Sequence, residues 1–333
     1  MKTILTGIKP TGTPHIANYF GAIKPALESA AKNSPLERRG GTEGDGVVKS
    51  FFFIADYHSL TTVKCAKEMQ QLSKEIACTW LACGLNPNKT IFYRQSDVPE
   101  IFELSTILGN VTAKGLMDRA HAYKAAVQAG ENVHIGLYTY PILMAADILL
   151  FDTNFVPVGQ DQKQHIEIAA DIANSFNAIY GKVLTVPEPQ IRKEVAVIPG
   201  LDGQKMSKSY GNIIPLFATS EELLKCIKRI TTDSSAPTDP KSTDHLIFKL
   251  YELVATKEKT VEFKRLFAQG IGWGDAKMAL FTELDVYLTP MRVKYNQLMA
   301  DYSQVERILA DGAKKARKVA RVTLDRVRKA IGI

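Results

Sequence analysis

Short apolar runs alternate with amphipathic stretches through the first half of the chain. Thr3–Gly7, Ser50–Ala55, Thr90–Arg94 and Phe155–Val158 read as β-strands. Ser50–Ala55 is apolar almost without interruption, the pattern of a strand buried on both faces of a parallel sheet. Between these runs lie helical patterns. One opens at His15–Ile23 after a Gly/Pro-rich turn, Lys67–Cys83 is amphipathic, Tyr138–Phe151 is nearly all apolar, and another helix starts within Gly159–Glu167. Strand and helix signals thus alternate at the spacing of βαβ units, which predicts a doubly wound parallel α/β sheet. From Ser220 onward only helical periodicity remains, at 221–231, 241–254, 261–267, 275–298 and 304–331. The expected organisation is an α/β domain over 1–215 and a smaller helical C-terminal domain over 216–333. The polar, Gly-rich stretch Asn33–Gly46 reads as a surface loop.

Charge changes this picture in one place. The chain has 42 Lys/Arg against 35 Asp/Glu, a net +7, and 311–333 alone carries eight Lys/Arg against two Asp. The last helix pairs an apolar stripe (Val305, Ile308, Leu309, Ala313, Ala316, Val319, Ala320, Leu324, Val327, Ile331) with a basic face. Such a face is either solvated or turned to a polyanion, and the charge alone leaves both open. No apolar run approaches the roughly 18 residues of a membrane span. The N-terminus reads as a buried strand instead of a signal peptide. Four cysteines without a C-x-x-C pair fit packing roles in a reducing, cytoplasmic setting.

Candidate chemistry centres on Lys205-Met206-Ser207-Lys208-Ser209, flanked by Gly200, Gly203 and Gly211. Two ammonium groups and two hydroxyls in one glycine-bounded loop suit phosphate oxygens. The first strand, its Gly/Pro turn and the helix mouth at His15 and Asn18 form a second phosphate-binding arrangement. Neither G-x-G-x-x-G nor G-x-x-x-x-G-K-[ST] occurs. Asp147 interrupts the apolar 138–151 helix, with Met144 one turn away on the same face. A buried carboxylate needs a donor from the protein or from a ligand, so this stretch suits an apolar molecule carrying one N–H or O–H. Gly159 permits close approach at a strand end, Asp161 can accept two ribose hydroxyls, and Gln162 can donate and accept. His58 follows the second strand and reads equally as a ligand contact or a helix start.

With these residues in view, the chain resembles the class I aminoacyl-tRNA synthetases, of the bacterial tryptophanyl type. His15-Ile16-Ala17-Asn18 matches the family's HIGH-type element, and Lys205–Ser209 is a KMSKS loop letter for letter. Similarity continues through Gly7–Gly12, Tyr140–Leu149, Val156–His165 and the helical C-terminus. After Asp161-Gln162 the residues Lys163-Gln164-His165 differ from the Trp-Gly-Asn usual in tyrosyl relatives.

The resemblance implies a Rossmann-like catalytic domain, ATP with Mg²⁺, L-tryptophan, tRNA(Trp) and a homodimer. It assigns Lys205, Lys208, His15 and Asn18 to catalysis. ATP contacts would come from Lys9, Thr11, Gly12, His15, Ala17, Asn18, Gly159, Asp161 and the loop Lys205, Met206, Ser207, Lys208, Ser209. Tryptophan contacts would come from Leu5, Gly7, His58, Tyr140, Met144, Asp147, Val156, Val158 and Gln162, with Asp147 accepting the indole N–H. No protein side chain is assigned to a metal. Ala17 stands where the family has Gly, and Lys9 where many relatives have Gln; a small shift is expected to accommodate the Ala17 methyl. Tyrosine activation, a non-catalytic binding paralogue and another HIGH-type nucleotidyltransferase are the competing readings.

Overall fold

The computed structural model describes residues 2–10, 12, 14–32, 48–130, 132–191 and 198–333. Thr11, the side chain of Asp161 and the 33–46 stretch lie outside the described residues.

The first strand, β1 (Lys2–Ile8), leads to α1 (Ile16–Asn18), which runs through a π-helical turn at Tyr19–Ile23 into α2 (Lys24–Lys32). There follow β2 (Val48–Ile54), α3 (Asp56–Ser59), α4 (Ala66–Ala82) and β3 (Ile91–Arg94). Next come α5 (Glu100–Gly109), α6 (Lys114–Asp118), α7 (His121–Gln128), α8 (Ile135–Leu149) and β4 (Phe155–Val158). Helix α9 (Lys163–Tyr180) and β5 (Glu188–Ile191) complete the α/β part. The helical remainder is α10 (Ser220–Lys228), α11 (Leu246–Val254), α12 (Lys257–Gln269), α13 (Trp273–Ala300) and α14 (Ser303–Ile331).

Among the described residues the sheet has five strands, all parallel, in the order β3-β2-β1-β4-β5. Strand order reverses between β1 and β4, which opens a crevice at their carboxyl ends. Both faces of the sheet are covered, as the run in β2 requires. Phe52 and Ile54 join one buried cluster, with α4 and the C-terminal helices. Phe51 and Phe53 join the other, with α5, α8 and α9. Strand β5 has no counterpart in the sequence reading. Its segment, Glu-Pro-Gln-Ile, lacks apolar alternation, and Pro189 is tolerated because the strand lies at the sheet edge.

The terminal helix has a specific docking place. Val305 and Leu309 lie in the first cluster, whereas Ala313, Ala316, Ala320, Leu324 and Val327 lie in the second. Helix α14 therefore crosses the edge strand β3 and covers its open side. Gly312 marks the crossing, where a Cβ would fall 1.7 Å from the Phe92 carbonyl oxygen. Four arginines of the basic face are paired within the chain. Glu100 accepts from Arg317 and Arg321 at 3.0 and 2.9 Å, Glu103 from Arg328 at 2.6 Å, and Asp152 from Arg326 at 2.6 Å.

Candidate active site

Two adjoining cavities open at the strand crevice. The first, about 750 Å³, lies between the ends of β1 and β4, the mouth of α1 and the lysine-rich loop. The second, about 770 Å³, lies under α7 and α8. Gly7, Lys9 and Gln162 line both.

At the first cavity, His15 caps α1 reciprocally with Asn18. The Asn18 N–H donates to His15 Nδ1 at 3.4 Å, and Asn18 Oδ1 accepts from the His15 N–H at 3.0 Å. With Nδ1 an acceptor, the neutral ring carries its hydrogen on Nε2. Burial, and then the nearby Lys208 charge, hold His15 below the usual histidine range, which favours that neutral ring. Met206, Ser207, Lys208 and Ser209 line the same cavity. Burial lowers the Lys208 ammonium's pKa, and Glu75 on α4 pulls the other way. The loop is fastened by Asn212, whose Oδ1 accepts from Ser207 N–H at 2.8 Å and whose amide donates to Asp202 at 2.8 Å. Ile76 and Trp80 of α4 also line the cavity, as does Gln160. The sequence reading missed all three: the helical pattern around Ile76 and Trp80 signals only packing, and Gln160 is one polar residue of a turn.

The second cavity has apolar walls and a polar end. Phe53, Ala126, Leu137 and Met144 contribute the walls. Asp147 is fully buried and lines the cavity. Its Oδ2 lies 2.9 Å from His58 Nε2, and Gln95 Nε2 straddles both its oxygens at 2.9 Å. Burial pushes the Asp147 carboxyl up, while the His58 and Gln95 contacts work against that. Tyr140 hydrogen-bonds His165 across the cavity. Lys9 Nζ donates to Thr61 Oγ1 at 3.1 Å, and burial lowers the pKa of this ammonium.

Of the residues expected from sequence, Lys9, Gly12, His15, Asn18, Gly159, Val158, Gln162 and 206–209 meet at the first cavity. Gly7, His58, Tyr140, Met144 and Asp147 meet at the second. Leu5 and Val156 lie in the core instead, 1% and 4% exposed, and line neither cavity. Ala17 packs on the first cluster and lines neither, so its methyl meets core side chains and not the cavity. Lys205 is exposed outside both, on a β-bridge with Pro199.

Comparison with known proteins places this site in context. The family model described as tRNA synthetases class I (W and Y) matches residues 1–289. A tryptophan–tRNA ligase of Neisseria meningitidis is 48% identical over 100% of this chain and 98% of its own length. One of Xanthomonas axonopodis is 48% identical over 99% of this chain and 76% of its own. The crystal structure of the Campylobacter jejuni tryptophanyl-tRNA synthetase complexed with ADP and tryptophan superposes with a TM-score of 0.90. That pair is 41% identical, with 99% of this chain and 100% of the other covered. The chain belongs to the class I tRNA synthetases of the W and Y family.

Proposed function

We infer that this chain is a tryptophan–tRNA ligase, an enzyme that activates L-tryptophan with ATP and transfers it to tRNA(Trp). The observation that carries the reading is the pair of joined cavities, one lined with phosphate-type donors and one apolar with a single buried acceptor. A tryptophan carboxylate oxygen attacks the α-phosphorus of ATP, the bond to the bridging oxygen breaks, and pyrophosphate leaves. The terminal ribose hydroxyl of the tRNA then attacks the acyl carbon of tryptophanyl-AMP and releases AMP.

The protein's part is positioning and charge neutralisation. Lys208, with Lys205 brought in by loop motion, neutralises the departing pyrophosphate. His15 and Asn18 hold ATP phosphates at the helix mouth, beside Lys9 and Gly12. Gly159 and Asp161 hold ribose. Asp147 accepts the indole N–H, Met144 and Phe53 wall the ring, and Tyr140 and Gln162 orient the amino-acid backbone. Mg²⁺ would enter bound to the ATP phosphates and would supply charge neutralisation on their oxygens, since no carboxylate among the described residues lines this cavity to hold the ion by itself.

The helical part after residue 215 serves the tRNA, while α14 returns to support the sheet. No helix among the described residues is long and apolar enough to cross a membrane, and a cytoplasmic homodimer with one tRNA spanning both subunits completes the proposal. The test is ATP–pyrophosphate exchange with tryptophan, tyrosine and phenylalanine supplied separately. Exchange with tryptophan alone is the expected result. Exchange with tyrosine in its place, or with none in folded protein, overturns the reading.

A further inference from the structure

We propose that Gln95, which lines neither cavity, is the positioning residue that keeps Asp147 turned to the tryptophan cavity as an acceptor, and so sets selectivity for an N–H-bearing ring. This rests on the tryptophan-activation reading above. Gln95 follows β3 and is 0% exposed. Its amide orientation is fixed by its neighbours. The Tyr57 N–H, shared with Asp56 Oδ1, donates to Gln95 Oε1 at 3.1 Å. A backbone N–H can only donate, so the oxygen of the amide faces Tyr57 and the NH₂ faces Asp147. The amide nitrogen sits 2.9 Å from both carboxylate oxygens. A group held this way can only present a donor, so the carboxylate is held as acceptor. Oδ2 also faces His58, whereas Oδ1 has Gln95 as its one described partner and keeps a lone pair for the cavity.

A protonated Asp147 would pair poorly with this arrangement, because its O–H would meet the Gln95 NH₂ donor against donor and take up an oxygen that the ligand N–H needs as acceptor. The other titratable groups facing this site are His58 from α3, Tyr93 from β3, Tyr140 from α8, His165 from α9 and Lys9 beyond β1, and Asp56 of α3 shares the Tyr57 N–H with Gln95. Of these only His58 hydrogen-bonds the Asp147 carboxylate among the described contacts, beside the Gln95 amide. Losing the Gln95 donor therefore changes both the orientation and the proton affinity of the acceptor.

The test compares Gln95→Leu and Gln95→Glu with the parent enzyme, measuring tryptophan-dependent exchange from pH 6 to 9 alongside β-(3-benzothienyl)alanine, an isostere without the N–H. In Gln95→Leu the tryptophan-over-analogue ratio of kcat/KM falls about tenfold or more, and KM for tryptophan rises as pH falls. In Gln95→Glu the introduced carboxyl donates to Asp147 while it holds a proton, so KM for tryptophan rises as pH rises. The opposite slopes are a signature that a merely structural role does not produce. KM for ATP stays within about twofold in both. An unchanged ratio, slopes of the same sign, or equal losses in ATP and tryptophan KM overturn the proposal. Gln95→Glu preserves volume and the Tyr57 contact, and so remains informative if Gln95→Leu does not fold. Should the parent enzyme show no tryptophan-dependent exchange, the underlying reading fails; an active parent with unaltered variants sinks this inference alone.

Discussion

A Cβ placed on Gly12 would lie 2.5 Å from the Lys208 Nζ, so the turn after β1 and the lysine-rich loop are in direct contact. Gly12 also has φ +92°, a conformation that costs an L side chain roughly 1–3 kcal/mol. The lysine could swing aside from a methyl group, but the backbone strain would stay. Gly12→Ala is expected to raise KM for ATP about tenfold and to lower stability by that strain. Lys208→Ala should behave differently, because its exposed side chain contributes little to folding. Exchange should drop about 100-fold or more, the scale of a lost transition-state charge partner, with unfolding shifted by no more than about 0.5 kcal/mol. ATP titrations and denaturant melts on the two variants check both parts.

His15 does two things that one pair of substitutions separates. As an N-cap acceptor it is worth about 1 kcal/mol; as a cavity-lining imidazole it faces the nucleotide site. His15→Ala should lose stability and exchange together. His15→Asn should keep the cap and lose only exchange. The folded state takes up the His15 proton at lower pH than the unfolded chain does. Its contribution to stability is therefore full above the ordinary histidine range, about pH 6.5, and is lost as pH falls through that value toward the folded pKa. The acid limb that His15 gives the exchange profile should accordingly sit below about pH 6.5. A limb above that value in the parent, missing from His15→Asn, would sink the assignment.

Where α14 crosses β3 there is no room for a side chain. A Cβ on Gly312 would meet the Phe92 carbonyl oxygen at 1.7 Å and its carbon at 2.6 Å, and both are backbone atoms of a paired strand. Helix and sheet edge would have to separate, which also loosens the Glu100–Arg317 and Glu103–Arg328 pairs. Gly312→Ala is expected to cost more than about 3 kcal/mol, in the range of severe overpacking. By contrast, alanine at the exposed Lys314 should change stability by no more than about 0.5 kcal/mol. Thermal melts of the two variants decide this, and equal melts would show that α14 does not bear on the sheet edge.

These sites differ in how far sequence alone could reach them. Periodicity located β1 to β4, the helix opening at His15, α4, α8, α9 and the C-terminal helices because burial on one or both faces writes itself into neighbouring residues, whereas α3, α5, α6 and α7 had no counterpart in the pattern. The lysine loop and the lone carboxylate of an apolar helix were legible for the same local reason. What α14 covers was not legible: an apolar stripe states that something is buried, while its partners Glu100, Glu103 and Phe92 lie more than 200 residues away. Gln95 escaped because a glutamine after a strand looks like any turn residue. Its role depends on Asp147, 52 residues further on. Leu5 and Val156, which the resemblance placed at the site, share a sheet face with Gly7 and Val158 but lie two residues further from the strand ends where the cavities open, so they pack in the core.

Gly7 lines both cavities, and Phe53 beside it lines the second. A Cβ on Gly7 would stand 2.7 Å from Phe53 Cζ and 2.8 Å from Cε1. The Phe53 ring cannot retreat, since it stacks on Tyr93 with centroids 5.8 Å apart and Tyr93 is fully buried. Its remaining freedom is toward the cavity it lines. Gly7→Ala should therefore push the ring into the tryptophan site and raise KM for tryptophan about tenfold, or about 1.4 kcal/mol. Phe53→Leu alone should leave a void and weaken stability by about 1 kcal/mol or more. Combined with Gly7→Ala, it should instead recover much of the tryptophan affinity, because the smaller side chain leaves room for the new methyl. The double-mutant cycle on KM for tryptophan should thus show a coupling of about 0.5–3 kcal/mol, as residues in contact do. Additive effects would mean that the ring and the glycine do not jointly set the floor of the site.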